Sequence, residues 1–194
     1  SDRDVHRRAG MEADVYVSHC NSPLSFYVQL VKLDTITSSV TEVGKAISHT
    51  HIDPDTLSPG SPCIALFSDD HLWYRAEVVD KNGDEVSVLF VDYGNKSQVN
   101  ITDVREIPPD LVEYPPQAFL CELEGFDSLC GSWDSDAVDA LSTLTTDKLL
   151  QLTVTRVTRD EENFKCFVQM ECDGQVINDG NENLVEEFHN RKQT

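Results

Sequence analysis

Apolar and polar residues alternate in short runs along most of the chain, interrupted by a few stretches of helical period. Residues 12–33, E-A-D-V-Y-V-S-H-C-N-S-P-L-S-F-Y-V-Q-L-V-K-L, read as two strands around an Asn21-Ser22-Pro23 turn. The period then lengthens: Ile36, Val40, Val43 and Ile47 recur at helical spacing, with Asp34 or Thr35 as the N-cap. Residues 49–62 are dense in Pro, Asp, Ser and Gly and mark a boundary. From residue 62 to 107 the short alternation returns. Cys63–Phe67, Trp73–Asp80, Glu85–Val91 and Lys96–Val99 read as strands, with Asn82-Gly83 as a hairpin signal and Thr102–Ile107 as a turn or short helix. So many short strands in so few residues predict a small, strongly bent barrel.

The remainder is again mixed. A strand is expected over 117–126, then a helix Asp134–Leu144 with Ala137, Val138, Leu141 and Leu144 on one face. Strands Leu149–Val157 and Phe164–Cys172 follow, joined by the polar turn Thr158–Asn163, and Asn181–Phe188 closes as a helix. Neither flank of the barrel has enough strands to bury a sheet by itself. The economical arrangement is one discontinuous domain, residues 11–33 with 117–190, into which a barrel of residues 58–116 is inserted through a linker helix and loop at 34–57. Residues 1–10, S-D-R-D-V-H-R-R-A-G, read as a disordered tail without the apolar core of a signal peptide, and the whole as a piece of a longer protein.

One stretch breaks the strand pattern. In V-S-V-L-F-V-D-Y-G-N, Val86, Val88 and Phe90 alternate cleanly, and then Tyr93 appears beside the turn glycine Gly94. On a straight strand positions 90 and 93 face opposite sides. Either Tyr93 packs away from Phe90, or the chain bends at Asp92–Gly94 and the two rings converge on a pocket. Taken alone, a strand aromatic such as Phe90 reads as core, and Trp73 as packing on the face opposite Tyr74. Asp92 reads as a brace for the turn through backbone N–H groups.

Charge narrows the function classes. The chain carries 35 acidic against 15 basic residues, a net charge of −20. Nucleic-acid binding rests on Lys and Arg neutralising phosphates, so it is disfavoured. Residues 119–188 hold sixteen Asp and Glu against four Lys and Arg, which is either solubilising surface or a field that draws a cationic peptide. Six cysteines lack metal-ligand spacing and read as reduced thiols. His49, His51, Asp53 and Asp55 lie in a loop without the framework of a metal site. No run is long and apolar enough to cross a membrane.

Three motifs carry a specific resemblance. F-S-D-D-H-L-W-Y-R-A-E-V (67–78), L-F-V-D-Y-G-N (89–95) and V-R-E-I-P (104–108) resemble a Tudor domain. With its flanks, the chain from about residue 11 to 188 is similar to the extended Tudor unit of germline Tudor-domain proteins, a Tudor barrel set into a staphylococcal-nuclease-like OB-fold. The resemblance implies a mainly β fold with a few helices, no catalytic residues, no cofactor and no metal. It implies binding of symmetrically dimethylated arginine in an aromatic cage whose positions fall on Phe67, Tyr74, Phe90, Tyr93 and Asn95. It further implies arginine-methylated tails of PIWI-family proteins as partners and cytoplasmic germ granules as the setting.

The residue types fit that chemistry. A methylated guanidinium keeps its charge and planarity but loses N–H donors, so recognition must rest on stacking and cation–π attraction. Tyr74 and Tyr93 would be walls, Phe67 and Phe90 would close the cage, and Asn95 would accept a remaining N–H. A nuclease reading of the OB-like flanks finds only Arg156 and Arg159, with no matching carboxylate motif.

Overall fold

The computed structural model describes residues 9–31, 35–125, 135–159 and 164–177. The expected closing helix Asn181–Phe188, the N-cap Asp34 and Cys130 lie outside them. The protein is mainly β, and it divides into two compact units, one of residues 1–31 with 118–194 and one of residues 32–117.

The first unit contains β1 (Glu12–Ser22), β2 (Ser25–Leu30), β8 (Ala118–Leu123), β9 (Leu150–Arg159), β10 (Phe164–Cys172) and β11 (Gln175–Val176). The sheet order is β11-β10-β8-β2-β1-β9, and β10 also pairs with β9, which closes the sheet on itself. Only the β8–β10 pairing is parallel; its register places Cys121 opposite Cys166. A closed five-stranded barrel of this kind leaves its long edges paired and is the OB-like architecture. Its interior holds Val15, Phe26, Val28, Leu123, Leu150, Leu152, Val168 and Met170, together with Leu141 from α2 (Ser135–Thr145). The first hairpin differs slightly from expectation. β1 runs on through Asn21 and Ser22, and Pro23-Leu24 form the turn.

The second unit is an antiparallel sheet of order β6-β5-β4-β3-β7. Its strands are β3 (Pro62–Phe67), β4 (Leu72–Asn82), β5 (Glu85–Phe90), β6 (Lys96–Asn100) and the two-residue β7 (Val104–Arg105). The expected turn at 102–107 is a 3-10 turn at Ile101–Asp103 followed by β7, which pairs with β3 at Ile64 and Ala65. Between β4 and β5 a bulge at Val79 shifts the register by one, so Asn82 pairs with Glu85 and the loop is Gly83-Asp84.

Side-chain alternation divides this sheet cleanly. Cys63, Ala65, Ala76, Val78, Val86, Val88, Phe90 and Val104 fill the barrel core. Ile64 and Trp73 face the other way and pack under α1 (Thr35–Ala46) with Ile36, Val40, Ile107 and Leu111. The helical stripe at 36, 40, 43 and 47 thus has its partner in the outer face of β3 and β4. Burial raises the Cys63 thiol to about 12, the nearby Glu77 charge adding to it, and burial raises Cys20 to about 11 against an opposing hydrogen bond from Ser142. Both are protonated, unreactive thiols at neutral pH.

Contact between α1 and β4 is close enough to exclude a methyl group. A Cβ on Gly44 would lie 2.2 Å from Trp73 Cβ and 2.3 Å from Cγ, atoms at the root of the side chain that cannot swing aside. An alanine in a helix interior gains about 1 kcal/mol over glycine. Overpacking here costs about 1–3 kcal/mol and prevails. Gly44→Ala is therefore expected to lower the denaturation midpoint in urea, whereas the same change at an unobstructed helical glycine would raise it.

Candidate ligand-binding site

The bend demanded by the Phe90/Tyr93 spacing is present. β5 ends at Phe90, and the next residues fold back on it. The Phe90 N–H donates to the Asn95 carbonyl at 2.9 Å, and the N–H groups of Tyr93 and Gly94 both donate to the Phe90 carbonyl, at 3.1 and 2.7 Å. Gly94 has φ +97°, a left-handed conformation that a side chain would strain. The turn brings Tyr93 back beside the strand, and Phe90 and Tyr93 both meet Tyr74.

Four of the five expected site residues form one aromatic cluster. Tyr74 is its hub, with ring centroids 5.3 Å from Tyr93, 6.0 Å from Phe90 and 6.4 Å from Phe67. Phe67 and Phe90 lie 5.3 Å apart. Every pair is edge-to-face, with interplanar angles of 70–83°. That arrangement satisfies the ring quadrupoles. Phe67, Tyr74 and Tyr93 are half-buried, whereas Phe90 is 1% exposed and belongs equally to the barrel core. Phe90 is thus the floor of the cluster. Asn95, the fifth residue, is half-buried at the far side of the turn. Its backbone carbonyl is held by Phe90, and no hydrogen bond engages its side chain among the described residues.

Tyr74 is fixed at its far end. Its hydroxyl donates to Asp70 Oδ2 at 2.5 Å, while Asp70 Oδ1 accepts the Leu72 N–H at 3.0 Å. Burial, then the Asp70 hydrogen bond and charge, then neighbouring Tyr93, hold the Tyr74 phenol well above the usual tyrosine range. Asp70 escapes a sequence reading, because an Asp two residues before a strand signals only a turn.

The Tyr93 turn is also tied to the rest of its unit. Asp92 reaches beyond its own turn. It is 3% exposed and forms a bidentate pair with Arg75, also 3% exposed: Nε to Oδ2 at 2.9 Å and Nη2 to Oδ1 at 2.6 Å. Oδ1 also accepts the Gln117 N–H at 3.0 Å. Arg75 spends its remaining donors on the carbonyls of Leu111, Tyr114 and Pro115, at 2.8, 2.7 and 3.0 Å. All five guanidinium N–H donors are therefore used.

The Tudor domain family model matches residues 8–125. This chain belongs to the Tudor domain family. It is 44% identical over 166 residues to Tudor domain-containing 6 of Danio rerio, which covers 84% of this chain and 8% of that protein. It is 35% identical to Tudor domain-containing 6-like of Xenopus laevis over 76% of this chain and 8% of that protein. The Tudor domain described here thus spans less than a tenth of these relatives. Its fold is similar to the extended Tudor domain TD3 from mouse TDRD1 in complex with a MILI peptide containing dimethylarginine 45, with TM-score 0.81 and 26% identity over 92% of this chain and 93% of that one. It is also similar to the extended Tudor domain from BmPAPI in complex with sDMA, with TM-score 0.76 and 27% identity over 92% and 95%.

The other candidates are not assembled into sites. Asp53 accepts the Asp55 N–H and caps a 3-10 turn at Pro54–Thr56, and no group of three or more metal-binding side chains occurs among the described residues. Arg156 stacks over the Phe167 ring at 3.8 Å, and it is committed to its own sheet. No described helix is long and apolar enough to cross a membrane.

Breaking the Arg75–Asp92 pair leaves a buried charge without its partner, which typically costs about 3–5 kcal/mol. Asp92→Ala is expected to lower stability by that amount in chemical denaturation and to broaden the Tyr93 and Asn95 resonances in NMR spectra. Unchanged stability would mean that the pair does not brace the turn.

Proposed function

We propose that this Tudor domain is a reader of symmetrically dimethylated arginine in arginine–glycine-rich peptides. The observation that carries the reading is the aromatic cluster of Phe67, Tyr74, Phe90 and Tyr93, with Asn95 in the same turn as Tyr93. Rings attract a methylguanidinium through their faces, by roughly 0.5–2 kcal/mol per desolvated contact. Because the rings pack edge-to-face at 5.3–6.4 Å, and a planar cation between two faces needs about 7 Å, Phe67 and Tyr93 swing away on binding while Tyr74 stays in place and Phe90 remains the floor. Asn95 accepts a remaining N–H without introducing a second charge to desolvate. The methylarginine ligands of the two similar extended Tudor domains support the same ligand class.

The mechanism is that of a binding module and not an enzyme. We assign the partners as methylated tails of PIWI-family proteins, and the parent protein as a scaffold in piRNA-pathway germ granules. The net charge of −20 favours a cationic partner and speeds its encounter. One mark bound by a flexible peptide, which loses entropy on ordering, gives roughly micromolar affinity, about −8 kcal/mol.

Titration of one Arg-Gly peptide in unmodified, symmetrically and asymmetrically dimethylated forms is expected to rank the symmetric form first; equal affinity for all three would overturn the reading. Tyr93→Ala is expected to abolish the methyl preference while the protein stays folded by circular dichroism; unfolding would make Tyr93 a core residue. Affinity for the symmetric peptide is expected to fall as salt rises from 50 to 500 mM, and a flat response would remove the acidic field from recognition.

A further inference from the structure

Asp70 stands in the hairpin that joins β3 to β4, and both of its oxygens are engaged in different directions. Oδ1 accepts the N–H of Leu72, the first residue of β4, at 3.0 Å, and Oδ2 accepts the hydroxyl of Tyr74 at 2.5 Å. The loop that presents this carboxylate is itself pinned. His71 has φ +56°, and its N–H donates to the Phe67 carbonyl at 2.8 Å. The carboxylate position is thus set by backbone before the ring meets it.

Tyr74 is the ring that touches all three others in the cluster. Its Cβ is held by β4, paired to β3 at Ala65. A half-buried ring held at one end keeps rotational freedom about its side-chain torsions. A hydrogen bond at the opposite end removes that freedom. It also pushes electron density from the phenol oxygen into the ring, and a more electron-rich face attracts a cation more strongly.

We propose that Asp70 is a positioning residue for the cage: through the Tyr74 hydroxyl it holds the Tyr74 ring in the orientation that receives the methylguanidinium, without needing to touch the ligand. This rests on the methylarginine reading above and adds a residue to it. Preorganisation lowers the entropy lost on binding, so loss of the tether appears as weaker affinity rather than as a changed ligand class.

A double-mutant cycle tests it, with wild type, Asp70→Ala, Tyr74→Phe and the double variant titrated with the symmetrically dimethylated and the unmodified Arg-Gly peptide. Asp70→Ala also removes the Leu72 cap, but that loss is common to both backgrounds and cancels in the cycle. The expected result is an affinity loss for the methylated peptide about three- to tenfold larger in the Tyr74 background than in the Phe background. Asp70→Asn, whose amide oxygen still accepts the phenol, is expected to retain most of the affinity. Equal losses in both backgrounds, or a loss in Asp70→Asn as large as in Asp70→Ala, would overturn the proposal in favour of a general charge effect.

A ligand-free measurement separates the two readings. In ultraviolet difference titration the Tyr74 phenol ionises above the ordinary value of about 10, and Asp70→Ala is expected to bring that step down. No change would overturn the tether itself. If the tether is present and wild type does not prefer the methylated peptide, the reader function is overturned, and the positioning role falls with it.

Discussion

One buried ion pair sets the geometry on which the candidate site depends. Arg75 on β4 and Asp92 in the turn after β5 are seventeen residues apart, yet they meet in bidentate register with almost no solvent contact. Buried pairs contribute little net stability once both ions have been desolvated. Their value is directional, because five N–H donors in a rigid fork accept only one arrangement of partners. Here that arrangement joins a strand, a turn and the carbonyls of residues 111, 114 and 115. The pair adds to the turn's own hydrogen bonds in holding Tyr93 against Tyr74.

β4 translates that constraint into a surface. Arg75 and Trp73 point to one side of the strand, into the ion pair and against α1, while Tyr74 points to the other. Arg105 reinforces the first side. Its guanidinium lies 5.1 Å from the Trp73 ring centroid and donates to the Ile47 and Ser48 carbonyls at the end of α1. Cations at a helix C-terminus interact favourably with the unpaired carbonyls there. The ring that would meet ligand is therefore backed by a packed layer on the reverse face of its own strand. Such support is what holds a cage of weak, orientation-dependent contacts in shape.

The same logic explains the different natures of the four rings. Phe90 is buried with Cys63, Ala76 and Val88, so its removal would be a core defect before it was a binding defect. Tyr93 stands on a turn beside a positive-φ glycine, where little packing depends on it. Tyr74 lies between these extremes, anchored in the sheet at one end and held by Asp70 at the other.

Much of this architecture was legible in the residue pattern. The alternation of Val86, Val88 and Phe90 and the opposed faces of Trp73 and Tyr74 match the structure, and the helical stripe at 36, 40, 43 and 47 named the side of α1 that packs. Local periodicity is sufficient for such assignments because it reports only which face avoids water. The motifs F-S-D-D-H-L-W-Y-R-A-E-V and L-F-V-D-Y-G-N contain the four ring residues. What the pattern left open was the company each residue keeps. Whether Phe90 and Tyr93 face apart or converge stayed open until the turn hydrogen bonds folded the chain back. Asp92 read as a brace for its own turn and also pairs with Arg75, and Asp70 lies in a turn and is also bonded to a ring. Each depends on atoms brought together across a hairpin or a turn, where the partner is chosen by three-dimensional distance and desolvation. The sequence by itself determined which side chains could attract a cation; the tertiary structure alone decided that they share one site, because convergence requires a bend held by a buried charge pair whose partners no local period connects.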